Sequence, residues 1–236
     1  MHPDQMLASL EAAAEEIGQE GLFGHIALVH RSVIAAMTHH LDRARRLSDD
    51  AISMAERVGV PFYLAAANEF RGDFELQTGD AAAAERAFRK QYEILDRLGD
   101  EGHKSYAAGG LAHALCALGR VDEAETFARE AVAAAAADDV SSQAFGRSAL
   151  AGVHSLRGHH EDAIRLAREA AEMFTRAESP NFQGDMSMTL ARVLRAAGQT
   201  REAADAARAA LTSYEGKGNE LAAESARAFI ASLPVG

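Results

Sequence analysis

The chain has 236 residues and a net charge of −11, with 48% apolar and 25% charged residues. That is enough apolar material for a folded core and too much for a disordered chain. One cysteine, Cys116, excludes an internal disulfide and a cysteine-built metal site, and the acidic balance argues against a direct nucleic-acid binder.

The first residues, Met1 to Gln5, lack a positive region followed by an apolar core, so no secretory leader is expected. No run of about 18 apolar residues occurs, so neither a membrane span nor a membrane partner is expected, and the cytoplasm is the default compartment. Alanine-rich, arginine-over-lysine usage suggests a bacterial source, with Lys90, Lys104 and Lys217 as the lysines.

In chain order, an N-terminal helix is predicted over 3–18. A repeat follows. Glycines at 79, 119, 158 and 198 each end one helical stretch and precede another, at spacings of 40, 39 and 40. A further step back reaches His39, which marks a degenerate first unit. Seven residues before each turn stand Ser32, Gly72, Ala112, Ala151 and Ala191. Five after stand Ala44, Ala84, Ala124, Ala163 and Ala203; twelve after stand Ala51, Gln91, Ala131, Ala170 and Ala210. Fourteen of these fifteen are Ala, Gly or Ser, well beyond what composition gives. Antiparallel helices close to about 8 Å only where small side chains meet. The predicted units are 22–59, 60–99, 102–137, 140–178 and 180–217, with a capping helix at 219–233. Within them, Ala163, Leu166, Ala167 and Ala170 form one stripe, with Arg165, Arg168 and Glu169 outside it. Asp122, Glu123, Glu161 and Asp162 fall in first helical turns, where the macrodipole favours acids. No alternating strand pattern occurs. The fold class is therefore all-α, a single solenoid of about five hairpins.

A hairpin with a turn glycine and small residues at these offsets resembles the tetratricopeptide repeat. Gly119 to Ala131, with Ala112 upstream, carries the resemblance best. The period of 40 exceeds the usual length of about 34, so the helices are longer. That longer form is similar to the C-terminal repeat arrays of actinobacterial transcription regulators and nucleotide-cyclase or ATPase regulators. Tyr92 to Gly99, Asp138 to Gln143 and Tyr214 to Asn219 support this narrower similarity. It brings no activity, because no catalytic or DNA-binding segment accompanies the repeats.

The search for chemistry finds no phosphate loop, zinc helix motif or nucleophile elbow. His159, His160, Glu161 and Asp162 offer metal-ligand types, but neighbours at a helix start do not converge on one point. His113 lies one turn before Cys116, which reads as a packing residue rather than a nucleophile. No cofactor, metal or catalytic residue is expected, and the chain reads as no enzyme.

The resemblance implies that the first helix of each hairpin lines a concave surface. At helical spacing that face carries Glu69, Asp73 and Leu76, then Tyr106, Gly109, His113 and Cys116. It continues with Phe145, Ser148, Gly152 and Ser155, then Asp185, Met188, Arg192 and Arg195. The groove is expected to have an acidic end, an aromatic middle opened by Gly109 and Gly152, and a basic end. Candidate binding residues are Glu69, Asp73, Tyr106, His113, Phe145, Met188, Arg192 and Arg195. Tyr106 and Phe145 also suit an inter-repeat core. The function implied is a regulatory, non-catalytic scaffold taking a protein or peptide partner. The alternatives are a small-molecule sensor, with an enclosed pocket near Tyr106, Phe145 and Arg192, and a homodimer formed through Leu221, Phe229, Ile230 and Leu233.

Overall fold

A computed structural model describes residues 3–17, 21–174 and 179–234. Its twelve helices are α1 (Pro3–Ile17), α2 (Gly21–Met37), α3 (Leu41–Val58), α4 (Pro61–Thr78), α5 (Ala81–Leu98) and α6 (Glu101–Ala117). They continue as α7 (Val121–Ala134), α8 (Val140–Leu156), α9 (His160–Phe174), α10 (Pro180–Ala196), α11 (Thr200–Lys217) and α12 (Glu220–Ala231). No strand occurs among the described residues. The expected ends of the N-terminal helix at 18 and of the fourth unit at 178 lie outside them. No helix is long and apolar enough to cross a membrane.

The helices stop where the chain turns left-handed. Gly79, Gly119, Gly158 and Gly198 have φ of 83°, 74°, 77° and 77°, a region open to glycine at no steric cost. His39 holds the same turn at φ 62°. Starts are set by caps: Asp80, Asp100, Asp139 and Asn219 accept from the amides of Ala83, His103, Ser142 and Ala222 at 2.9 to 3.2 Å.

Successive helices pack as antiparallel pairs, α2 on α3 through α10 on α11. All fifteen offset positions are buried, so the small residues sit at the helix crossings. The exception in size, Gln91, is buried too. Phe88 supplies the bulk elsewhere. Its ring lies over Gly72 of α4 and Gly110 of α6, joining one hairpin to the next.

The array also curls back on itself. α12 touches α2 and α4, which the chain order places far away. The expected self-association patch is not exposed: Leu221, Phe229 and Leu233 are buried, the last two against α10 and α11.

Candidate inner-face site

The inner face is built by α4, α6, α8 and α10. Gly109 lets α6 and α8 approach closely: a Cβ there would lie 3.1 Å from Phe145 Cδ1 and 3.5 Å from the Gly146 nitrogen. Gly109 is thus a helix contact and not the opening expected for a ligand. At Gly152 a Cβ would meet Cys116 Sγ at an ordinary 3.6 Å.

Tyr106 and Phe145 face each other, stacked at 4.6 Å and 20°. Phe182 of α10 presents its edge to Tyr106 at 6.2 Å, and stacks on Phe174 at 5.4 Å. These rings form an aromatic floor that joins α6, α8, α9 and α10. Tyr106 and Phe145 are consequently buried, and the Tyr106 hydroxyl carries what polar chemistry the pair has.

Carboxylates stand around this floor. The Tyr106 hydroxyl lies 3.2 and 3.4 Å from the two oxygens of Asp73. The Tyr214 hydroxyl donates to Asp185 at 2.6 Å. Gln91 Nε2 donates to Glu69 at 2.7 Å. Burial raises the Asp73 pKa well above 3.8, and the charges of Glu69 and Asp185 push it further. Asp185 is raised to about 6 by burial, against the pull of Tyr214 and Arg192. Glu69 is raised to about 6, also by burial, against His103 and Gln91. Asp73 sits on α4 and Asp185 on α10, so the curl of the array sets like charges from distant units within reach of each other.

His113 Nε2 lies 2.8 Å from Ser148 Oγ, whose hydroxyl donates to the Phe145 carbonyl at 2.8 Å. With its proton committed there, Ser148 accepts from His113, which fixes the tautomer. Burial and the Arg192 charge lower the His113 pKa to about 4, so it is neutral at pH 7. Burial raises Cys116 to about 12, which leaves a thiol and no nucleophile.

The basic end divides. Arg192 is exposed, and its charge reaches both His113 and Asp185. Arg195 lies over the Phe229 ring at 4.5 Å and reaches Ser232, so it serves the packing of α12. Met188 is buried in the core of the last units. Glu69, Asp73, Tyr106, His113 and Phe145 share one region with Arg192 at its edge; Met188 and Arg195 do not join it through a polar contact. Among the described residues no group of three or more His, Cys, Asp or Glu is placed to hold a metal ion.

Tyr214 and Gln91, which complete the site, come from second helices and were not expected. Gln91 did carry a signal, as the large residue among fifteen small positions. Tyr214 is matched by Gly184, where a Cβ would lie 2.4 Å from its ring. Two surface clefts of about 470 Å³ lie elsewhere, one lined by Val60, Pro61, Leu64 and Leu98, the other by Glu161, Arg165 and Arg168.

Residues 104–176 match the family model of the tetratricopeptide repeat. No curated protein matches the sequence. Among solved structures, BtubC (BKLC) from P. vanneervenii is 14% identical with a TM-score of 0.60, covering 99% of this chain and 91% of that one. A Rap protein complexed with Competence and Sporulation Factor is 17% identical with a TM-score of 0.59, covering 97% of this chain and 65% of that one. TPR-like repeats from Podosopora anserina are 16% identical with a TM-score of 0.52, covering 79% and 93%. At such identities these neighbours share the fold. The family match in the middle units, the glycine-turned hairpins on either side and these neighbours agree on one fold, a solenoid of tetratricopeptide-type hairpins.

Proposed function

We propose that the chain is a non-catalytic, regulatory scaffold that binds a protein or peptide segment on its inner face. The observation that carries this reading is the charge of that face. Glu69, Asp73 and Asp185 line it and take hydrogen bonds from Gln91, Tyr106 and Tyr214, which are neutral donors. A repeat core has no use for three raised carboxylates; a ligand that brings positive charge does. The segment bound is therefore one carrying lysine or arginine. The Rap neighbour, solved with Competence and Sporulation Factor, supports a factor-binding reading of the fold.

The small-molecule reading has less support. It needs Tyr106 and Phe145 free to hold a ligand, and they stack on each other.

The test is fluorescence anisotropy with a mixed library of labelled peptides, sorted by charge. Basic segments should bind best. The double variant Asp73→Asn, Asp185→Asn should lose roughly 10-fold to 100-fold in affinity, the range for one charged hydrogen bond of about 1.5–3 kcal/mol. Equal binding of acidic and basic peptides, or an unchanged double variant, would refute the assignment.

A further inference from the structure

In an open solenoid each unit touches its neighbours. Here the ends touch each other. Asn219, at the start of α12, is 0% exposed. Its Oδ1 caps α12 by accepting from the Ala222 amide at 3.2 Å. Its Nδ2 donates to Gln77 Oε1 of α4 at 3.3 Å and to Asn181 Oδ1 of α10 at 3.2 Å. Asn181 Nδ2 in turn lies 4.0 Å from Met37 Sδ at the end of α2. Asn219 thus ties the cap both to α10 of the preceding unit and to α4, which is not adjacent in the repeat.

A second tie lies at the edge of this junction. His39 Nε2 is 3.0 Å from Glu224 Oε2 of α12. His39 occupies the left-handed turn that glycine holds in the later units. The departure from the repeat pattern therefore coincides with a side chain that reaches the far end of the molecule. Lys217 Nζ, 3.8 Å from Met6 Sδ of α1, adds a third contact.

These ties differ in kind from the rest of the array. The hairpins close over apolar stripes of alanine. The junction is made largely of amides and of a pair whose side chains are 41% and 69% exposed. Polar and exposed contacts contribute little net stability each, so this is where the array separates most readily. Its position also matters. α12 bridges to α2 and α4, and α4 carries Asp73, which feels the charge of Asp185 on α10.

We propose that α12 is a releasable clasp: Asn219 and Glu224 fasten the last unit of the solenoid to the first two, and their release widens the inner face between α4 and α10. The closed ring is one state of the superhelix and the open array is the other. Packed units move as rigid bodies about the junction.

The test is the distance between spin labels at Arg43 of α3 and Ser225 of α12, both exposed, in a Cys116→Ala background. A control pair at Thr126 and Glu161 reports on neighbouring units. The unaltered junction should give one short, narrow distribution. The variant Gln77→Ala, Asn181→Ala, Glu224→Ala keeps the Asn219 cap. It should give a long, broad population at 43–225 with 126–161 unchanged. A second variant, His39→Gly, suits the left-handed turn and removes only the contact to Glu224; it should give a long-distance population smaller than that of the triple variant. A long, broad distribution with the junction intact, or a single short one in both variants, would overturn the proposal.

Discussion

A methyl group at Gly110 should unseat Phe88. The Cβ of Gly110→Ala would lie 2.4, 2.5 and 2.6 Å from Phe88 Cε1, Cδ1 and Cζ. Carbon atoms rest at about 3.5–4.0 Å, so the ring must retreat by roughly 1 Å. It has nowhere to go. Phe88 is 0% exposed, and its other edge lies over Gly72, where a Cβ would be 2.7 Å away. Overpacking of this kind costs about 1–3 kcal/mol. Replacing a mid-helix glycine by alanine returns up to about 1 kcal/mol in helix propensity. The difference is about 0–2 kcal/mol, and contacts as short as 2.4 Å with Gly72 behind the ring place it in the upper half, about 1–2 kcal/mol, a fall in Tm of roughly 2–8 °C for a chain of this size. Thermal melts followed by circular dichroism measure it. Phe88→Leu in the same chain should relieve the overlap, so the double variant should beat the sum of the singles by about 1 kcal/mol. A Tm for Gly110→Ala at or above the parent would refute the reasoning, because propensity would then outweigh contact.

The inner carboxylates make stability depend on pH. Glu69 and Asp185 titrate near 6 when folded, and Asp73 higher than its ordinary value, so the folded chain takes up protons as pH falls from 7 to 5. These groups add stability over that interval while His113, held at about 4, subtracts it, so Asp185→Asn should lower Tm at pH 5 relative to Tm at pH 7. Glu75 acts in the opposite sense: burial raises its pKa, but Arg45 and Arg71 outweigh that and hold it below 4.5. Its contribution is present above that value and lost as pH falls further. Glu75→Ala should cost about 3 kcal/mol, the low end for a broken buried pair because Arg45 is part exposed; urea titration reads this directly. Cys116 should resist a thiol reagent at pH 8 in the folded chain and react fully in denaturant, and rapid native labelling would contradict its burial. Arg195→Ala should cost about 0.5–1 kcal/mol, with faster hydrogen exchange confined to α12 and no change in peptide affinity.

Much of the candidate site was readable from helical spacing. Glu69, Asp73, Tyr106, His113 and Phe145 fall on inner faces because their places relative to the turn glycines fix their direction. What spacing leaves open is which atoms meet across helices. Gly109 reads as a gap and is instead the point where α8 comes in over α6. Arg195 reads as a partner of Arg192, yet it turns to Phe229, one residue of a helix that curls beside it. Tyr214 and Gln91 belong to second helices, and only their hydroxyl and amide contacts bring them to Asp185 and Glu69.

The hairpins follow from local rules of the chain. A glycine every 39 or 40 residues ends one helix and begins another, and the small residues at fixed offsets set how closely the two pack. Those are local rules, repeated, and each unit obeys them without knowledge of the others. Tertiary structure alone decided the pitch of the superhelix. Pitch is the sum of small rotations between units, and such sums appear in no single repeat. It is what brings Asp185 within reach of Asp73, and Asn219 onto Gln77 at a separation of 142 residues.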